Sequence, residues 1–356
     1  MQTRRAHPDS GMNPAPSKRF RNPRAQHDFK GRTCSIVAVG SYVPERVLTN
    51  AGLAKMVETS DEWITSRTGI KERRIAADDE FTSDIAAKAA IRALEKAKVS
   101  PSQVDLIIVA TITPDMPFPA TACLVQQKIG AHRAAAFDIE AACSGFIYGL
   151  EIGQQFIMSR TYDTVLVIGA EKLSSIIDWT DRNTCVLFGD GAGAAILQNR
   201  PDSHGLLTAC MGADGAKAHL LSMPGGGSRC PATSDSVAAR MHYLRMDGKE
   251  TFKNAVNAMY TAAKESLRRC EITISQIKCV IPHQANRRII DAVGERLGAE
   301  PEQLFINLDK YGNTSAASVA IALDEAVQCG RIVKGDLVLL VVFGAGLTWG
   351  AAVIEW

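Results

Sequence analysis

"FDIEAACSGFIYGL" (Phe137–Leu150) runs from an apolar stretch ending in an acid, through two alanines and a cysteine, into Ser-Gly and a helix-like pattern. Phe146, Ile147, Leu150 and Ile157 fall on one helical stripe that begins a turn beyond Cys143. The spacing predicts a strand, a tight junction and a helix, with Cys143 at the junction. A buried cysteine is most often a small hydrophobe. At a helix N-terminus the macrodipole favours thiolate, so the same placement also suits a nucleophile.

Strands and helices alternate outward from this stretch. Val104–Thr113, Ala134–Ile139, Thr164–Ala170, Gly193–Gln198, Lys278–His283 and Asp336–Gly344 read as strands, and Ser83–Ala97 and Glu250–Cys270 as amphipathic helices. Continuously apolar strands separated by helices predict a buried, largely parallel or mixed sheet with helices on its faces. "KVSPSQVDLIIV" and "EITISQIKCVI" share a rhythm, each closing a helix just before a strand. Asp105 to Cys143 is 38 residues and Lys278 to Asn313 is 35. This weak repeat predicts a duplicated α/β unit, with a site built where strand ends of the two halves meet. The Gly/Ser/Pro-rich Met223–Ser236 reads as a flexible surface loop.

The 356 residues allow two domains or one large α/β unit, and 46% hydrophobic with 22% charged residues is a globular composition. The apolar run Leu337–Gly346 is far shorter than the roughly 20 residues of a membrane helix, so no membrane partner is expected. No apolar segment follows the early arginines, as a secretory signal would require. The net charge of +2 conceals an asymmetry: residues 1–32 hold eight Lys or Arg against two acids. This tail reads as a disordered basic extension. A transit segment, which two serines support poorly, and an RNA-touching arm are its other readings. The nine cysteines form no C-x-x-C pair, which supports neither a disulfide framework nor a metal site. Reduced thiols in a cytoplasmic compartment are the simplest expectation.

Three segments carry candidate chemistry: Cys143 in its junction, His283 in "IPHQANRR" at a strand end, and Asn313 in "YGNTSAAS" at a turn before a helix. Singly, they also read as a core thiol, an ordinary hydrogen-bonded histidine and a turn or cap residue. "FGDGAGAAIL" (Phe188–Leu197) spaces its glycines as G-x-G-x-G ahead of a strand, unlike the G-x-G-x-x-G of a dinucleotide loop, and reads as tight backbone packing.

Together with "TSDEWITSRTGIKERRIA" and "FGAGLTWG", these motifs make the chain from about Arg32 to Trp356 resemble the thiolase-fold condensing enzymes, most closely the β-ketoacyl-acyl-carrier-protein synthase III family. Relatives with a Cys/His/His set elongate chains, and biosynthetic thiolases carry a second cysteine in the C-terminal glycine turn, which "FGAGLTWG" lacks. The resemblance implies a thiolase-like fold of α-β-α-β-α layers. Its halves would span 33–204, with the nucleophile, and 205–356, with His and Asn, behind the 1–32 extension. It implies a homodimer that condenses a short acyl-CoA, such as acetyl-CoA, with malonyl-acyl carrier protein, coenzyme A serving as substrate and no cofactor being needed. It casts Cys143 as acyl acceptor, His283 and Asn313 as neutral donors to an enolate, and the N–H groups of Cys143 and Ala345 as an oxyanion hole. Ala345 departs from the family's Gly-Gly-Gly turn and raises the question of a positive φ there. Trp63, Arg67, Arg182 and Asn286 would bind coenzyme A. Phe118, reaching across a dimer interface, and Phe252 would line the acyl pocket, and Arg288 and Lys253 would dock the carrier protein. A related enzyme that uses the same cysteine in secondary metabolism, priming polyketide synthesis or transferring an acyl group to oxygen or nitrogen, is the alternative.

Overall fold

A computed structural model describes residues 32–200 and 205–356. The basic extension expected over 1–32 therefore lies, apart from Arg32, outside the described residues.

The strands of the two main sheets are β1 (Cys34–Tyr42), β2 (Leu106–Ala110), β3 (Ala135–Ile139), β4 (Thr164–Glu171), β5 (Gly191–Asn199), β6 (Gly205–Ala213), β7 (Cys279–Pro282), β8 (Leu337–Gly344) and β9 (Thr348–Glu355). The helices that matter here are α1 (Asp61–Thr68), α2 (Thr82–Ala97), α3 (Thr121–Ile129), α4 (Gly145–Met158), α5 (Gly248–Cys270), α6 (Arg287–Leu297) and α7 (Ser318–Gln328). One sheet has the order β1-β5-β4-β2-β3 and the other β6-β9-β8-β7. In the first sheet β4, β2 and β3 run parallel and β5 is antiparallel to both β4 and β1; in the second β8 and β7 run parallel and β9 is antiparallel to both β8 and β6. A parallel bridge from Val280 to Leu304 stands in the second sheet where β3 stands in the first. The two sheets are thus alike in strand order, and β6 follows β5 in the chain. The described residues nonetheless pack as one compact unit.

The strands sort their side chains by parity, as period-2 geometry requires. Leu106, Ile108, Val165 and Val167 point to a central core; Ile107, Val109, Leu166 and Ile168 point to an outer one with α2 and α3. In the second sheet, Val338, Leu340 and Val342 join the same central core, while Leu339, Val341 and Phe343 face α5 and α6. Phe146, Ile147 and Leu150 of α4 and Val319, Ala322 and Leu323 of α7 fill the space between the sheets. The layers run α-β-α-β-α, with α4 and α7 as the shared middle layer. That middle layer explains the uninterrupted apolar strands, which are covered on both faces. Gly193 behaves as packing: a β-carbon there would overlap Ala320 of α7.

The segment Met223–Ser236 departs from the expected flexible surface loop. It contains the start of a short helix, Ser234–Ala238, and the chain that follows is tied down by Arg240 on Asp178 and by Leu244 N–H donating to Ile176 O at 2.9 Å.

Candidate active site

Cys143 sits where the sequence placed it, in a single 3-10 turn (Ala142–Ser144) between β3 and α4. The corresponding turn in the second half, Ser315–Ala317, leads into α7. Both turns begin on a non-glycine residue in the left-handed region, Ala142 at φ 46° and Ser315 at φ 49°. Such residues cost on the order of 1–2 kcal/mol and persist where surrounding structure fixes them. The two elbows face each other. Cys143 and Ser315 line the same cavity.

The segment from Asn313 to Ser318 gathers the rest. Asn313 is buried, with its N–H on Leu187 O at 2.8 Å and its carbonyl accepting from Gly189 N–H at 3.0 Å. Its side-chain oxygen accepts from Ser315 N–H at 2.8 Å, which turns the amide NH2 outward from that turn. His283 follows β7, with its own N–H on Val341 O at 2.7 Å. Its Nδ1 lies 2.6 Å from Ser318 Oγ. Cys143, Asn313 and His283 therefore converge on six consecutive residues.

The electrostatics differ from the sequence expectation. Burial pushes the Cys143 thiol up to about 12; the Ser315 hydroxyl pulls against this and the Glu171 charge adds to it. Desolvation outweighs the helix terminus, so the resting group is a thiol and not the expected thiolate. Burial also lowers His283 to about 3, which leaves a neutral imidazole.

The glycine turn after β8 closes over Cys143. A β-carbon on Gly344 would lie 2.6 Å from Cys143 N, so only glycine admits this approach. Thr348 Oγ1 donates to Ala141 O at 2.9 Å and to Ala345 O at 3.0 Å, clamping turn to elbow. The left-handed residue of the turn is Gly346, at φ 129°, and not Ala345, so the Ala-for-Gly departure is accommodated. Among the described residues, neither Cys143 N–H nor Ala345 N–H goes to a backbone carbonyl.

A cavity of about 410 Å³ opens beside Cys143, walled by Ser315, Ala345, Phe188, Leu221, Met223 and Leu244 among others. Phe252 is not in this wall; it is 37% exposed on the first turn of α5. The aromatic in the wall is Phe188, joined by Leu221, Met223 and Leu244. Phe118 is 84% exposed and is also absent from the wall. His283 and Asn313 do not line the cavity; they join it through the 313–318 segment.

Trp63, Arg67 and Arg182 come together. Ser60 caps α1 by accepting from Trp63 N–H at 3.1 Å, and Gly69 ends the helix in the left-handed conformation. The Arg67 and Arg182 guanidinium carbons lie 4.6 and 4.7 Å from the Trp63 ring centroid. Asn286 has a structural duty that its sequence role omits. Its oxygen caps α6 by accepting from Arg288 N–H at 2.9 Å, and its NH2 donates to Arg67 O at 3.1 Å. It thereby couples the helix after His283 to the Trp63 cluster. Arg288 and Lys253 are exposed.

Sequence reasoning missed Ser315, Ser318 and Glu171. The first two stand inside the quoted "YGNTSAAS", where the Asn drew the attention; Glu171 ends an apolar strand and carries no local signal.

Comparison with known proteins agrees with this arrangement. The family described as 3-Oxoacyl-[acyl-carrier-protein (ACP)] synthase III matches residues 137–215, and its C-terminal counterpart matches 267–356. The chain is 59% identical over 321 residues to the beta-ketoacyl-[acyl-carrier-protein] synthase III of Caldanaerobacter subterraneus subsp. tengcongensis, covering 90% of this chain and 97% of that one. Among solved structures, 3-oxoacyl-[acyl-carrier-protein] synthase III from Aquifex aeolicus superposes with a TM-score of 0.84 at 49% identity, covering 91% of this chain and 100% of that one. The priming beta-ketosynthase of the R1128 polyketide pathway superposes with a TM-score of 0.85 at 36% identity, covering 91% and 96%. With its two elbows and its Cys, His and Asn around one segment, the chain belongs to the β-ketoacyl-acyl-carrier-protein synthase III family.

Proposed function

We propose that this enzyme starts type II fatty-acid synthesis by decarboxylating condensation of a short acyl-CoA with malonyl-acyl carrier protein. The observation that carries the reading is the convergence of Cys143, Asn313 and His283 on residues 313–318 beside an apolar cavity.

Cys143 Sγ attacks the acyl-CoA carbonyl, forming a thioester and releasing coenzyme A as thiolate. The oxyanion of the tetrahedral intermediate is held by the N–H groups of Cys143 and Ala345. The acyl chain occupies the cavity walled by Leu221, Met223 and Leu244. Malonyl on the carrier protein then loses carbon dioxide, and its enolate oxygen takes N–H donors from Asn313 and the neutral His283. A neutral donor stabilises the developing charge without surrendering its proton. The enolate carbon attacks the thioester and expels Cys143, giving 3-ketoacyl-carrier protein.

Trp63 with two guanidinium groups against its ring suits the adenine and phosphates of coenzyme A. Arg288 and Lys253 suit an acidic carrier protein. Phe118 is exposed as expected of a side chain that closes the pocket of a second copy. A reducing cytoplasm suits nine free cysteines, and no described helix is long and apolar enough to cross a membrane. Offering a panel of acyl-CoAs with malonyl-acyl carrier protein and weighing the products tests the reading: 3-ketoacyl-carrier protein from short primers is expected, and free malonyl-carrier protein left intact with every primer contradicts it.

A further inference from the structure

Glu171, the last residue of β4, is fully buried yet takes no part in the reaction just described. Its Oε2 accepts from the Thr113 hydroxyl at 2.7 Å, Ile112 N–H at 3.1 Å and the Thr111 hydroxyl at 3.2 Å. Its Oε1 accepts from the Ser315 hydroxyl at 3.0 Å. Ser315 and Cys143 line the same cavity. The carboxylate is thus bonded to a hydroxyl that shares the cavity wall with the reacting sulfur. Such a group is expensive to bury unless it is used or neutralised.

We propose that Glu171 takes the Cys143 proton through Ser315 when the cysteine is acylated, keeps it during the acyl-enzyme state, and returns it when the cysteine leaves. The thiol proton passes to Ser315 Oγ as the Ser315 proton passes to Glu171 Oε1, leaving a thiolate and a neutral carboxyl. No net charge enters or leaves the pocket, whereas a lone thiolate would be an uncompensated buried charge. Coenzyme A departs as thiolate and is protonated by solvent. When the enolate displaces Cys143, the same two transfers run backwards. Glu171 acts through Ser315 and is a positioning residue for the proton; Ser315 touches the reacting sulfur.

The groups facing Glu171 are consistent with this duty. From its own neighbourhood come neutral hydroxyls and one N–H, and from the two elbows the Cys143 thiol and the Ser315 hydroxyl. The adjacent Lys172 turns away, with its ammonium on Ala77 O at 2.8 Å and Glu80 O at 2.7 Å. Burial raises the Glu171 carboxyl to about 7 against the pull of its donors, so it can accept a proton and give it up near neutrality.

The inference rests on Cys143 as acyl acceptor, and its test does not require turnover. Alkylation of Cys143 by iodoacetamide is followed against pH in the wild type, Glu171→Gln and Ser315→Ala, with intact mass locating the adduct. Wild-type reactivity is expected to climb through about pH 7, because the carboxylate must be empty to receive the proton. In either variant the climb moves to higher pH, and the rate at pH 7.5 falls about 10-fold to 100-fold. Ser315→Ala leaves the carboxylate cradle in place and decides the matter if Glu171→Gln fails to fold. A folded variant with the wild-type profile overturns the relay. Wild-type protein that alkylates at Cys143 but never acquires an acyl group from any acyl-CoA refutes the proposed function instead.

Discussion

Ser318 Oγ stands 2.6 Å from His283 Nδ1, at the first residue of α7, while the other ring nitrogen is left without a protein partner among the described residues. With the serine hydroxyl donating to Nδ1, the imidazole proton resides on Nε2, where it can be given to an enolate oxygen. Replacing Ser318 by Ala frees the ring to take the other tautomer. Malonyl-carrier-protein decarboxylation is then expected to slow by roughly 10-fold, with acyl-enzyme formation little changed. Single-turnover measurement of the two half-reactions checks this, and equal loss of both counts against the assigned tautomer.

Because burial holds His283 at about 3, decarboxylation should show no inflection near pH 6.5. The same residue links stability to pH. Unfolded histidine binds a proton below about 6.5 and the folded one does not until about 3, so stability falls as pH falls through that window. The slope is about 1.4 kcal/mol per pH unit. Denaturant unfolding of wild type and His283→Gln at pH 7, 6 and 5 isolates this contribution. The difference between the two proteins should shift towards the variant as pH drops, and a constant difference would show a solvated imidazole.

Gly169 lies in β4 beneath the second elbow. A β-carbon there would overlap Ala316 O, one residue from Ser315. Gly169→Ala is expected to destabilise the protein by about 1–3 kcal/mol. It should also depress acylation of Cys143 by shifting Ser315, which a thermal melt and a mass assay read together. Full stability and full acylation would mean that the elbow yields.

Trp63→Ala is expected to raise KM for acyl-CoA about tenfold while leaving KM for the carrier protein unchanged, in keeping with the loss of a stacked face and two guanidinium contacts. Arg288→Glu should do the converse, and should also weaken the dependence of carrier-protein KM on salt. Steady-state kinetics with each substrate varied at two ionic strengths distinguishes them.

Much of this was legible in the sequence, for identifiable reasons. Cys143 could be placed because a strand, a junction and a helical stripe are all contiguous, and the duplicated α/β rhythm announced the two halves. Strands β1, β6 and β9 were not read: Gly40 breaks the apolar run of the first, and Trp349 and Gly350 disguise the start of the last. β1 is held by antiparallel pairing with the distant β5, and β9 by pairing with the distant β6 as well as with the neighbouring β8. Phe252, expected in the pocket, is 37% exposed near the start of α5 and absent from the cavity wall, whereas Met223, from a stretch whose composition suggested a flexible loop, and Leu244, beyond that stretch, are in it. The thiolate expected from the helix terminus is outweighed by burial, which no local window reveals. Glu171 was invisible because its hydrogen-bond partners lie 58 to 144 residues away.

The most direct test is an intact-mass pulse and chase. The protein is incubated with acetyl-CoA, weighed, and then given malonyl-acyl carrier protein. One acetyl group should appear on the peptide containing Cys143, be absent in Cys143→Ala, and leave on the chase as 3-ketobutyryl-carrier protein with carbon dioxide released. An acetyl group that persists through the chase, or an adduct retained by Cys143→Ala, contradicts the account.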